Sequence, residues 1–296
     1  MTGILLIDKP EGLTSFGTLI RIKKTINRKK CGHCGTLDPM ATGVLTVLLG
    51  GATKFADVLP DRSKAYRATI KLGTVTDTLD ITGAVLEQNE VTATRADFEA
   101  AAKGFTGRIK QIPPMYSAVS VDGKRLYELA RKGETVERKE RDAEIFKIDI
   151  VDCDEASGEY TVDVACSSGT YIRTLADDIG RALGCGAVLK TLRRTAANGY
   201  SVENAFTLDE LEEAVANGEL EKHILGVDSA LQAYPAVRVT AAQAVRFSNG
   251  GELSADRLNG VTQPGFYRVY APGSAFLGVG EKRGDSLYVG KLYREE

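Results

Sequence analysis

Asp38 is the residue of this chain best placed to do chemistry. It stands in Gly32-His33-Cys34-Gly35-Thr36-Leu37-Asp38-Pro39-Met40-Ala41-Thr42-Gly43, a run dense in glycine, with proline directly after the acid. Glycine admits sharp turns and close approach to a ligand, and proline biases the residue before it toward an extended backbone. The carboxylate is therefore presented from a rigid, non-helical loop, a frequent seat of functional groups. An ionised carboxylate there can serve as a nucleophile; equally, it can close an Asp-Pro turn by accepting backbone hydrogen bonds. His33, one of only two histidines, lies five positions upstream and reads by itself as a loop histidine with its hydrogen bonds satisfied.

Two further side chains could serve such a carboxylate. Arg173 follows an alternating segment and sits where a helical pattern begins. An arginine in a first helical turn faces an unfavourable dipole, which points to a specific anion nearby; an ordinary surface ion pair is the alternative. Tyr66 starts an alternating stretch on its apolar side, so plain core packing competes with any role in a site.

Alternation marks the elements that must hold these groups. Tyr66, Ala68, Ile70 and Leu72 alternate with Arg67, Thr69 and Lys71; Phe146, Ile148 and Ile150 with Lys147 and Asp149; Tyr160, Val162, Val164 and Cys166 with Thr161, Asp163 and Ala165. Each predicts a strand with one apolar face. Helices are expected from Thr94 to Gly104, along Leu175, Ile179 and Leu183 as far as Gly184, and from the capping box Thr207-x-x-Glu210. Strands and helices mix without a βαβ rhythm, so the fold class is α+β. After Leu231 the texture changes. Short strand-like pieces at 266–270, 276–279 and 287–293, and a short helix at 241–247, alternate with Gly and Pro turns, as in a small barrel. Arg283-Gly284-Asp285 reads as a hairpin turn.

Composition narrows the class. The chain has 296 residues, 43% of them hydrophobic, and a net charge of −2. The total gives no support to a nucleic-acid partner, but the distribution does. One basic run (Arg21, Lys23, Lys24, Arg28, Lys29, Lys30) precedes the Asp38 loop, and another spans Lys124, Arg125, Arg131, Lys132, Arg138, Lys139 and Arg141. Taken singly, such runs are ordinary solvated faces. Five scattered cysteines argue against a disulfide framework. Cys31-Gly32-His33-Cys34 is a C-x-x-C, yet it has no second pair to complete a zinc site, so no metal is expected. No nucleotide-binding G-x-x-x-x-G-K-[ST] is present, and no cofactor is expected. The only early apolar run, residues 4–7, is too short for a signal-peptide core and no stretch approaches a membrane span. The expectation is a cytoplasmic, reduced protein.

The Asp38 segment closely resembles the catalytic motif of TruB-family tRNA pseudouridine synthases. Four other regions match in family order: Gly3 to Ser15; Lys64-Ala65-Tyr66-Arg67-Ala68 with Leu72 to Asp80; Pro113 to Ala118 with Gly123-Lys124-Arg125-x-Tyr127; and Ser168 to Leu175 with Leu192-Arg193-Arg194. The resemblance implies a mixed-sheet catalytic domain over 1–230 with an RNA-binding insertion at about 105–142, then a PUA-like RNA-binding domain over 231–296. It implies an isomerase that converts uridine to pseudouridine at position 55 of the tRNA T-loop, on a flipped-out base. In that reading Asp38 attacks the ribose C1′ or the uracil C6, and Arg173 pairs with it. Tyr66 stacks on the base with its hydroxyl close to the C5 proton, Tyr171 joins the pocket, and Leu192 is a wall. His33 engages the RNA loop by stacking or phosphate contact, and Lys9 contacts phosphate or braces the site. Lys124, Arg125 and Arg131 touch the RNA backbone. The implied partner is the T-arm of tRNA, with no obligate protein partner. The competing readings are a non-catalytic tRNA-binding or folding module, and a dyskerin-like subunit guided by another RNA.

Overall fold

The computed structural model describes residues 1–117, 119–121 and 123–295; Ala118, which closes one of the matched segments, lies outside them. A nine-stranded mixed sheet organises the larger part of the chain. Its main path runs Gly3–Lys9, Thr42–Leu49, Ala187–Ala197, Lys64–Leu72, Glu159–Cys166, Arg141–Asp154 and Gly107–Gln111. Pairing is antiparallel except between Thr42–Leu49 and Ala187–Ala197, which run parallel through Arg193↔Thr42 and Arg194↔Gly43.

The Lys64–Leu72 strand lies in the middle of this path. Its alternation has the predicted consequence: Tyr66, Ala68, Ile70 and Leu72 are buried on one face. There they pack with Tyr160, Val162, Val164 and Cys166 from the neighbouring strand and with Leu175 and Ile179 from the Ile172–Ala182 helix. The Arg95–Gly104 helix starts in the capping box Thr94/Asp97 and lays Phe98 on Tyr160, rings parallel at 4.1 Å. The Leu208–Ala216 helix opens in the capping box Thr207/Glu210.

The strand expected around Phe146 exists, but its register differs from the alternation. The ladder to the neighbouring strand slips between Ile145 and Lys147, a β-bulge. One extra residue moves every later side chain to the other face relative to those before it. Ile145 is therefore buried and Phe146 points outward, half-exposed at 50%.

The tail forms a separate five-stranded sheet in the order Ala236–Arg238, Gly265–Tyr270, Phe276–Arg283, Ser286–Leu292, Leu253–Ser254. Its core gathers Val237, Val239, Phe247, Tyr267, Val269 and Leu287. Gly284 and Asp285 make the hairpin turn between Phe276–Arg283 and Ser286–Leu292. The short helix expected at 241–247 is present as Ala241–Ser248 and opens in a capping box, Thr240/Gln243. The tail sheet rests on the larger unit: Tyr234 donates to the Val58 carbonyl at 2.9 Å, and Lys291 pairs with Asp57 at 2.9 Å. Among the described residues, no helix is long and apolar enough to cross a membrane.

Removing the Phe98 ring leaves a cavity beneath the stacked Tyr160, so Phe98→Ala should cost about 3–5 kcal/mol in denaturant unfolding. Phe146→Ala, on the bulged and outward position, should stay within about 1 kcal/mol. The reverse ranking would contradict the register described above.

Candidate active site

Asp38 lies in the loop between two antiparallel strands, Cys31–His33 and Thr42–Leu49. Other parts of the chain hold that loop rigid. The Ser15 hydroxyl accepts from the Leu37 N–H at 2.8 Å and donates to the Leu37 carbonyl at 3.1 Å. The Gly12 N–H donates to the Pro39 carbonyl at 2.8 Å, and the Ala41 N–H to the Asp38 carbonyl at 3.1 Å. The Arg194 side chain is fully buried and donates to the carbonyls of Val44 (2.8 Å), Gly35 (3.2 Å) and Thr36 (3.4 Å). Gly43 at the loop's exit has φ +106°, and a Cβ there would sit 2.2 Å from the Arg194 carbonyl oxygen, so only glycine fits.

Arg173 reaches the loop from the first turn of the Ile172–Ala182 helix. Its Nε lies 2.9 Å from Asp38 Oδ2 and its Nη2 donates to Asp38 Oδ1 at 3.1 Å, a two-point grip. The remaining N–H groups bond the carbonyls of Thr78 (3.0 Å) and Tyr116 (2.7 Å), with Asp80 Oδ2 at 3.7 Å. The Arg173 side chain is 5% exposed, while Asp38 keeps 33% of its side-chain surface open. Two carboxylates and two carbonyls thus compensate a cation at an end of the helix that disfavours it. Tyr171 caps that helix without a side-chain bond, and its backbone is fixed instead by Gln111, whose amide accepts from Tyr171 N–H at 2.9 Å and donates to its carbonyl at 3.2 Å.

Two cavities meet at the Asp38–Arg173 pair. The first, about 470 Å³, is lined by Tyr66, Tyr171, Leu192, Lys64 and Arg194 besides the pair. The second, about 780 Å³, is lined by His33, Phe16, Tyr116, Tyr127 and Arg131. Five of the residues singled out in the sequence therefore surround one cavity, and two more line the other. Lys124 and Arg125 lie exposed on a short hairpin of Ser120–Val121 and Lys124–Arg125, outside the lining of both.

Of the two roles the resemblance implies for Lys9, phosphate contact or bracing of the site, the geometry fits bracing. It is fully buried and its ammonium donates to the carbonyls of Pro10 and Leu13, both at 2.7 Å, and of Pro39 at 3.4 Å. An enclosed side chain cannot reach a phosphate; this one braces the loop around Asp38. The two sulfurs of Cys31-Gly32-His33-Cys34 pack into different cores, Cys31 beside Leu5 and Ile7 and Cys34 beside Ile4 and Leu6.

Burial dominates the electrostatics. It pushes the Asp38 carboxyl above the ordinary carboxylate range; Arg173 opposes the rise and Asp80 adds to it. Burial also lowers the His33 imidazole, helped by the nearby Arg194 charge, so the ring is neutral at neutral pH. Its Nδ1 is buried without a hydrogen-bond partner among the described residues. Lys9 falls to about 8, chiefly by burial. Asp80, Lys64, Arg194 and Ser15 lie within the matched segments, yet nothing in their spacing marks a role. Gln111 lies in none of them. Their partners are distant in sequence and become visible only in the fold.

Three family models cover the chain: TruB family pseudouridylate synthase (N terminal domain) over 23–172, tRNA pseudouridylate synthase B C-terminal domain over 173–232, and Pseudouridine synthase II TruB, C-terminal, over 235–289. The chain belongs to the TruB family of tRNA pseudouridine synthases. It is 43% identical to tRNA pseudouridine synthase B of Pseudomonas putida (strain GB-1) over 284 residues, 95% of this chain and 92% of the relative. It is 45% identical to tRNA pseudouridine synthase B of Burkholderia mallei (strain NCTC 10247) over 282 residues, 94% of this chain and 92% of the relative. A chain in the crystal structure of a Cbf5–Nop10–Gar1 complex superposes with a TM-score of 0.76 at 25% identity, covering 98% of this chain and 84% of that one. The TruB chain is thus an isomerase that forms pseudouridine in tRNA, with a mixed-sheet catalytic fold followed by a PUA-like sheet.

The raised Asp38 carboxyl is directly measurable. A ¹³C titration of labelled aspartate side chains should place its midpoint above that of an exposed aspartate, and Asp80→Asn should lower it, since Asp80 repels the charged form. A midpoint below the ordinary value, or one that rises in the variant, would contradict this electrostatic picture.

Proposed function

We propose that this enzyme acts on position 55 in the T-loop of tRNA and that Asp38 is its nucleophile toward a flipped-out uridine. The observation that carries the reading is the two-point Asp38–Arg173 grip at the junction of two cavities. A uracil must leave the RNA stack to be attacked, and the cavity behind Asp38 offers it walls. Tyr66 provides a face on which the base stacks, Leu192 an apolar wall, and Tyr171 a second ring. Exclusion of water there strengthens the Asp38–Arg173 attraction and limits hydrolysis of a covalent intermediate.

The second cavity fits the RNA loop around the extruded nucleotide. His33 is neutral, which suits stacking between bases better than an ion pair with phosphate. Arg131 lies over the Tyr127 ring at 5.5 Å, leaving a cation and an aromatic face side by side at the rim. Lys124 and Arg125, exposed on the neighbouring hairpin, position the RNA backbone. In this reading residues 1–230 carry the chemistry, the insertion at about 105–142 grips the T-arm, and residues 231–296 add affinity.

The test is tritium release from a T-arm transcript labelled at uracil C5. Asp38→Asn, which keeps the shape and removes the charge, should lower turnover by about 1,000-fold or more with RNA binding retained. Wild-type turnover in that variant would exclude Asp38 as the nucleophile.

A further inference from the structure

The cavity behind Asp38 contains two buried cations that the Asp38–Arg173 pair does not use. Lys64 is 8% exposed and Arg194 fully buried. Among the described residues neither makes an ion pair. The Lys64 ammonium donates only to the carbonyls of Arg62 (3.1 Å) and Ser63 (3.2 Å), leaving its third N–H for another acceptor. Arg194 donates to the three carbonyls named above and hydrogen-bonds the Tyr66 hydroxyl, none of them an anion. The two sit close together: a Cβ on Gly35 would lie 3.3 Å from Lys64 Cε and 3.5 Å from Arg194 Nη1. Tyr66, which shares the cavity, has its hydroxyl beside the Arg194 guanidinium. The other titratable groups facing Lys64 are Asp61, itself exposed, and the thiols of Cys34 and Cys166.

Adjacent buried cations without an anion are costly. They fit a site in which an anion appears only during the reaction. We propose that Lys64 and Arg194 stabilise the negative charge that the uracil acquires while it is detached or activated. The inference rests on the base occupying this cavity, as proposed above. The chemistry requires the charge by either route. If Asp38 bonds C1′, the N1–C1′ electron pair leaves with the base and spreads over N1, O2 and O4. If Asp38 adds to C6, the C5–C6 π pair moves through C4 onto O4. On the second route the N1–C1′ bond then breaks and leaves its electron pair on N1. On both routes C5 bonds C1′, Asp38 departs as a carboxylate with the pair of its own bond, the C5 proton passes to solvent and N1 takes up a proton, so the base ends neutral. Donors fixed in advance toward developing charge in a dry site act strongly. The lowering of Lys64 to about 8, by burial and then by Arg194, is what a cation still lacking its anion shows.

The test compares uridine with 5-fluorouridine at the target position of a T-arm stem-loop. Loss of the N-nucleoside is followed in single turnover by mass spectrometry. Fluorine stabilises the base anion, so that substrate needs less help from the protein. On uridine, Lys64→Met should slow conversion by about 100-fold at unchanged RNA affinity, and on 5-fluorouridine the loss should be about tenfold smaller. Lys64→Arg should restore most of the rate. Equal losses on both bases, no loss on uridine, or failure of arginine to restore the rate would overturn the proposal. Lys64→Gln replaces Lys64→Met should the latter not fold. Asp38→Asn is the control: its turnover should fall by about 1,000-fold or more on both substrates, and wild-type turnover there would instead overturn the reading of Asp38 as nucleophile on which this inference rests.

Discussion

A carboxylate enclosed by protein stays available as an anion only if something nearby compensates its lost hydration. Here that partner is Arg173, and much of the site follows from the requirement. The guanidinium grips both oxygens of Asp38 while two backbone carbonyls and Asp80 fix its plane. Burial still wins in part, since Asp38 remains above the usual carboxylate range. In the proposed role of nucleophile, a carboxylate poised in this way is less stabilised than one in water and loses less when a bond forms.

The fold supplies the rigidity that this pair needs. Asp38 comes from a loop pinned by Ser15, Gly12, Lys9 and Arg194, groups drawn from both ends of the larger sheet's sequence. Arg173 comes from a helix whose start is held by Gln111. The central strand adds Tyr66 and Lys64 on its buried face. Each functional side chain thus stands on, or next to, an element fixed by core packing or backbone bonds, which suits a reaction that tolerates little misplacement.

How much was legible in the sequence varies with the kind of signal. The strand at Tyr66 and the helices after Thr94 and Thr207 were readable because period and caps are local properties. Arg173 was readable because a cation in a first helical turn needs an explanation. Phe146 was misread because a bulge breaks the period without any marker in the residues themselves. For Lys9 the sequence left two roles open, and only its enclosure in the fold favours bracing over phosphate contact. Arg194 and Gln111 act through carbonyls and amides far away in sequence, and such partners have no motif. The resemblance to the family carried what physics alone left open, including the choice of Asp38 over a mere Asp-Pro turn.

The central claim is that the fork of Arg173, and not simply a positive charge, holds Asp38 for reaction. Arg173→Lys retains the charge and gives up the two-point geometry. Single-turnover conversion of a T-arm substrate by this variant should fall about 100-fold or more while RNA affinity is unchanged. Conversion at the wild-type rate would contradict the account.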